Sequence, residues 1–240
     1  MIGQKKGVVM KRYKAITVTL LFIIFVFSAA GAAGADNKWE ALVEKSGKVL
    51  SEVQQMPDQN VPEDLMRKCS AIAIFPSTIS AGLGIGGKYG QGIIMVRNER
   101  SGRWSPPAVF TIAGGSIGWQ IGGQATDIVL LIMSRKSVKG VLEGKFKLGV
   151  DAAVAAGPVG RDAQAATDAK LGGILSYSRT SGLFIGAKLE GDVITQHWDG
   201  NKELYGKSLS AKEILLQNKA KMPKSAGGLL KILKKYPHKK

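Results

Sequence analysis

The sequence predicts an α+β domain with a glycine-rich, mainly antiparallel β core, sandwich or barrel-like, flanked by amphipathic helices at both ends. Three observations carry this. Apolar spacing is helical before residue 69, turns to a period of two from Ala71 onward, and becomes helical again after Ser210. The β-like stretch is studded with glycine, and 31 glycines stand in 240 residues. Turn signals separate its segments at intervals expected of neighbouring antiparallel strands.

The first 35 residues read as an export signal. Lys5, Lys6, Lys11, Arg12 and Lys14 precede the apolar run AITVTLLFIIFVF, and Ala33-Gly34-Ala35 supplies an A-x-A cleavage site. An apolar run of this length is shorter than the ~20 residues of a membrane span. The expected organisation is therefore a signal peptide at 1–35, the domain at 36–222 and a basic amphipathic tail at 223–240. The expected location is the periplasm or the extracellular space, peripheral to a membrane.

In NKWEALVEKSGKVLSEVQQMP, Trp39, Leu42, Val43, Val49, Leu50 and Val53 share one helical face, and Lys38, Glu44, Lys45, Lys48 and Glu52 lie elsewhere. Such a stripe docks on a core or touches a membrane. Pro62, Glu63 and Asp64 open a short second helix. Its neighbour Cys69 is the chain's single cysteine, so no intramolecular disulfide forms, and a small core hydrophobe is its expected role.

AGLGIGGKYGQG contains G-x-G-x-x-G at Gly82, Gly84 and Gly87. A dinucleotide site needs that turn to open a helix, so that N–H groups and the helix dipole meet the pyrophosphate. Here GIIMVRN continues as strand and Pro106-Pro107 follow a turn at Ser101-Gly102. Gly82, Gly84 and Gly86 instead line one face of an extended segment, where a missing side chain admits another backbone or a bulky group. Gly114 to Gly118 matches G-x-S-x-G around Ser116, with His197 as a would-be triad base. The nucleophile elbow also demands a following helix, and SIGWQIGGQ alternates like a strand.

Downstream, ATDIVLLIMS is a buried strand or a short helix. Phe146, Leu148 and Val150 alternate, AQAATDAKL suits a short helix, and a hairpin turns about Thr180-Ser181-Gly182. Ser210 and Glu213 form a capping box that opens EILLQNKAKM, closed by Pro223. In GGLLKILKKYPHKK, Leu229, Leu230, Ile232, Leu233 and Tyr236 share one arc, with Lys231, Lys234 and Lys235 opposite and Lys239 and Lys240 beyond. Those leucines either cover a gap in the sheet or face a membrane.

Charge narrows the partners. The formal net charge is +16, yet residues 36–213 carry 21 basic side chains against 18 acidic, so the excess sits at the two ends. A basic tail on an exported chain with 7% aromatic residues points to anionic membrane lipid and away from nucleic acid. Two histidines and one cysteine cannot build an N/S metal cluster, and no cofactor is expected.

Taken in order, IAIFPSTISAGLGIGGKYGQGIIMVRN, GRWSPPAVFTIAGGSIGWQIGGQATDIVLLIM, LGVDAAVAAGPVGRD, ILSYSRTSGLFIGAKLEGDVI and LYG closely resemble the SYLF domain, also called yeast actin-binding-domain-like. The resemblance spans about residues 40–236. It implies a non-enzymatic lipid-binding domain, with phosphoinositides and actin as partners of eukaryotic members, and membrane contact by an N-terminal amphipathic helix that matches Lys38 to Met56. Actin is not an expected partner of an exported chain. The leading expectation is binding of anionic phospholipid or a phosphoinositide-like headgroup through Lys38, Trp39, Lys45, Lys48, Lys231, Lys234, Lys235, Lys239 and Lys240. An envelope scaffold that binds protein is the alternative, and a hydrolase built on Ser116 the remote one.

Overall fold

The structure, a computed structural model, describes residues 38–160, 173–187 and 189–238, and for 83–85 and 116–122 the backbone alone. The signal peptide expected at 1–35, the helix expected at 163–171, and Lys239 and Lys240 lie outside the described residues.

Two strands of unusual length dominate. β1 (Ala71–Val96) and β2 (Ala108–Ile132) pair antiparallel from Ala71↔Ile132 to Ile94↔Ala108, with register shifts at Phe75/Thr78 and Gly82/Gly84. The hairpin is doubled over at the second shift, since Arg97 N at the far end of β1 donates to Ser70 O at its start, 2.8 Å away. Glycine makes the fold-back possible. A Cβ on Gly86 would lie 2.1 Å from Ala81 O, and one on Gly92 would lie 2.2 Å from Ile74 O. The face left bare by glycine is thus where β1 crosses itself.

The sheet then grows along β2. Its first half pairs with β7 (Val193–Gln196), which carries β3 (Phe146–Lys147). Its second half pairs with β5 (Ile174–Thr180), which carries β6 (Leu183–Gly186) and, in parallel, β4 (Val154–Ala156). The result is an α+β fold with a curled, mostly antiparallel seven-stranded sheet.

Residues of β1 alternate between two cores. Ala71, Ala73 and Phe75 join Phe110, Leu130 and Phe146 on one face, under α3 (Arg135–Leu142) and α5 (Ala211–Leu215). Ile72 and Ile74 join Val129, Leu131, Tyr177 and Phe184 on the other, under α1 (Lys38–Gln54), α2 (Glu63–Lys68) and α6 (Gly227–Leu233). Burial on both faces explains why IAIF and IVLLIM read as unbroken apolar runs. Of ATDIVLLIMS, residues 125–132 are therefore strand and form the end of β2, and Ser134 caps α3.

Local signals behave as their chemistry requires. Ser181 and Gly182 take φ of 50° and 83° in the two-residue turn between Thr180 and Leu183. Gly102 takes φ 67° in the β1–β2 loop. Two expectations are corrected. Val150 leaves the strand pattern after Leu148 because Gly149, at φ 84°, turns the chain, and Val150 is 70% exposed. The helix opened by Ser210 ends at Leu215, since Asn218 takes φ 55° and Lys219 N folds back onto Glu213 O.

The C-terminal segment is part of the core. Leu229 and Leu233 are fully buried in the cluster that holds α1, and Leu229 lies against Gly47, where a Cβ would approach Leu229 N to 3.2 Å. Residues 224–238 thus pack onto the core that holds α1. Replacing Leu233 by Ala is expected to cost about 2–5 kcal/mol in urea unfolding; an unpacked tail would leave stability unchanged. In the capping box, the hydrogen bond from Lys219 and those from the Ser210 backbone and side chain hold the Glu213 carboxyl down at about 2. Its folded value is depressed, so its contribution is full above the ordinary carboxylate range and is lost as pH falls toward 2. Glu213→Gln is expected to flatten the fall in melting temperature between pH 4.5 and 2.

Candidate functional site

Neither glycine motif builds an active site. Gly82, Gly84 and Gly87 all lie within β1, and Gly114 to Gly118 lie within β2, where Gly118 pairs with Gly84 and Ser116 with Gly86. No helix begins at either, so the dipole that would hold a pyrophosphate and the turn that would expose a nucleophile are both missing there. Gly114 has a structural reason: a Cβ there would lie 1.9 Å from Asp192 Oδ1. Asp192 is 2% exposed and pairs with Lys88 at 2.8 Å; burial raises its pKa and the Lys88 contact opposes the rise.

His197 caps α4 (Trp198–Tyr205), its Nδ1 accepting from Gly200 N at 2.9 Å. Its Nε2 lies 3.1 Å from Gln91 Nε2, and its ring centroid is 4.7 Å from that of Trp39. Both ring nitrogens are thus occupied structurally. Among the described residues no group of three or more His, Cys, Asp or Glu could hold a metal ion, and no helix is long and apolar enough to cross a membrane.

The expected lipid-contact residues part into two surfaces. On α1, the apolar stripe is spent on the core: Trp39 is 4% exposed, its Nε1 donating to Glu203 Oε2 at 2.5 Å, and Val43, Val49, Leu50 and Val53 are buried. Trp39 therefore faces inward, away from the surface that bears Lys45 and Lys48. Lys38 is exposed at the start of α1. Lys45 and Lys48 line a cleft of about 490 Å³ with Glu44, Glu52, Asp127 and Arg179. Arg179 is already claimed there, Nη2 bonding Asp127 at 2.6 Å and Nη1 bonding Glu52. Those hydrogen bonds outweigh its partial burial as a pair and raise its pKa, although desolvation is the largest single influence and acts downward. Three cations meet three carboxylates, so the cleft has no net charge.

The second surface is the outer face of α6. Leucine anchors hold the helix, and Lys231, Lys234 and Lys235 stand exposed, without an ion-pair partner among the described residues.

Sequence reasoning passed over one residue of consequence. Arg97, at the end of β1, is 1% exposed. Its Nη1 donates to Arg67 O at 2.5 Å, and its Nη2 donates to Met66 O at 2.8 Å and Tyr236 O at 3.2 Å. Its Cζ stands 4.5 Å from the centroid of the Trp104 ring. It has no carboxylate partner among the described residues, and its Nε is buried without a hydrogen bond. Burial lowers its pKa. The only hint in sequence was an arginine closing an apolar strand, which resembles an ordinary strand end.

A family model described as "Ysc84: Las17-binding protein actin regulator" matches residues 113–236. Protein YSC84 of Saccharomyces cerevisiae is 34% identical over 180 residues, 73% of this chain and 38% of that protein. The yeast LAS seventeen-binding protein 3 is 33% identical over 180 residues, 73% of this chain and 39% of its own length. SH3 domain-containing YSC84-like protein 1 of Homo sapiens is 29% identical over 203 residues, 82% of this chain and 58% of that protein. The chain thus spans about two fifths of the yeast relatives' length. These relatives carry names of binding and regulatory proteins, not of enzymes.

Cys69 reports directly on the packing around α2. It is fully buried, its Sγ lies 3.3 Å from Met66 O, and burial pushes its thiol up to about 11. Native protein at pH 8 is expected to resist iodoacetamide, with alkylation appearing only in denaturant; rapid native labelling would refute the packing around α2.

Proposed function

This chain belongs to the Ysc84 family, and from that premise we propose that it is a non-enzymatic, exported module that binds anionic lipid at a membrane surface. The observation that carries the reading is the outer face of α6. Its leucines anchor the helix, so Lys231, Lys234 and Lys235 are held outward on a rigid support, their charge not neutralised by neighbours within the described residues. Each such cation near an anionic bilayer contributes about 1 kcal/mol, and the attraction fades within a Debye length. Lys38, Lys45 and Lys48 add cations on α1, whose charge the carboxylates beside them balance. Lys239 and Lys240 extend the basic run.

The signal at the N-terminus and the basic C-terminus fit one location, outside the cytoplasm and peripheral to a membrane. Bound protein is the second reading, an envelope scaffold, favoured by relatives whose names denote Las17 binding. A hydrolase has no support from the geometry around Ser116, whose backbone is mid-strand.

Co-sedimentation of the intact chain with liposomes is expected to rise with the fraction of anionic lipid and to fall with salt. Changing Lys231, Lys234 and Lys235 together to Gln is expected to weaken partitioning by up to roughly a hundredfold. Absence of binding to anionic liposomes at low salt would overturn the reading in favour of a protein scaffold.

A further inference from the structure

The β1–β2 loop, residues 97–107, forms the wall of two adjoining clefts of about 900 and 590 Å³. Both share Arg100, Arg103, Trp104 and Met222. We propose that this groove seats the phosphate group of a membrane lipid, with Leu216 and Met222 entering the apolar layer beside it. The proposal rests on the lipid-binding reading and locates its specific site away from α1.

Charge is the first argument. Arg97, Arg100, Arg103, Arg135, Lys139 and Lys234 line the clefts, against one carboxylate, Glu99, which Arg135 Nε already holds at 2.5 Å. Arg100, Arg103, Lys139 and Lys234 are exposed and have no ion-pair partner among the described residues. The α1 cleft, by contrast, balances three cations with three carboxylates. An anion has reason to choose the first and none to choose the second.

The second argument is the buried guanidinium among the lining residues. Arg97 bonds three carbonyl oxygens, which orient it without neutralising it, and its Nε has no partner. A full positive charge at 1% exposure acts through a weakly screening medium, so its field at the groove is stronger than that of an exposed arginine. A phosphate anion in the groove would supply the counter-charge that the described residues lack; the fork of Arg97 is spent on the carbonyls, and the exposed Arg100 and Arg103 are the side chains that suit phosphate through their planar forks of donors.

The third argument selects a bilayer as the source of the phosphate. Leu216 and Met222, 40% and 36% exposed, stand on the same rim, and exposed Lys221 and Lys224 neighbour Met222 in the chain. Apolar tips ringed by lysine match the boundary between acyl chains and headgroups, where one penetrates and the other stays with phosphate. A water-borne phosphate compound would need the cations alone.

The decisive experiment measures vesicle partitioning of the full chain with phosphatidylcholine alone and with added phosphatidic acid. Arg100→Gln with Arg103→Gln is expected to weaken the phosphatidic acid-dependent binding roughly thirtyfold, and Leu216→Ser with Met222→Ser roughly tenfold. Lys45→Gln with Lys48→Gln is expected to change it less than threefold. These side chains are exposed and make no described side-chain hydrogen bond, so melting temperatures should stay level and report intact folding. Loss of binding confined to the Lys45 and Lys48 pair would overturn the groove while leaving the lipid reading in place. Full displacement by glycerol 3-phosphate, with the Leu216 and Met222 pair behaving as wild type, would overturn the bilayer as source. Failure of the unaltered chain to bind any vesicle would instead remove the underlying reading.

Discussion

The doubling-over of one hairpin governs this fold. β1 is long enough that its start and end meet, and the hydrogen bond from Arg97 N to Ser70 O closes the loop. Once closed, the strand offers both of its faces to separate cores, and every other element is placed by which face it covers. The requirement falls on glycine, because Gly86 and Gly92 sit where one half of the strand meets the backbone of the other. Any side chain at those crossings would collide with a carbonyl oxygen, which cannot move without breaking the ladder.

Closure also brings Arg97 beneath the carboxyl end of α2 and the last turn of the chain. Its guanidinium gathers carbonyls from Met66, Arg67 and Tyr236 and lies over Trp104, so one side chain ties α2, the β1–β2 loop and the C-terminal segment together. Burying a cation this way costs solvation that the carbonyl dipoles and the indole face only partly return. That residual positive potential connects the packing of the core to the surface chemistry of the groove above it. The same closure explains the fate of the two amphipathic helices. Both α1 and α6 spend their apolar faces on one core, and what each leaves for solvent is its charged side.

The attraction of each surface for anions is therefore a matter of which lysines and arginines lack a neighbouring carboxylate. On α1 the alternation of Lys and Glu cancels at short range, and Arg179 is saturated by Asp127 and Glu52. Around the β1–β2 loop and α6 the one carboxylate, Glu99, is held by Arg135, and Arg100, Arg103, Lys139 and Lys234 have no ion-pair partner among the described residues. Family membership agrees with a binding role, since the relatives are named for partners and not for reactions.

The linear chain by itself determined the class of several segments but not of all: it left ATDIVLLIMS open between strand and helix and gave no sign of the helices at Arg135–Leu142 and Trp198–Tyr205. The change of period at Ala71, the turn at Ser181-Gly182 and the capping box at Ser210 depend on bonds within a few residues, and all stand in the structure as read. The same locality dismissed both decoy motifs, because a phosphate loop and a nucleophile elbow each need a helix in the next few residues. Only tertiary structure decided where Val150 points, that residues 224–238 close the core, and that Trp39 faces inward. A helical wheel shows that a face is apolar but not what covers it, since that depends on residues more than a hundred positions away. The convergence of Arg97, Arg100, Arg103, Leu216 and Lys234 lay beyond sequence for the same reason: their spacing carries no period, and only a strand closed on itself makes them neighbours.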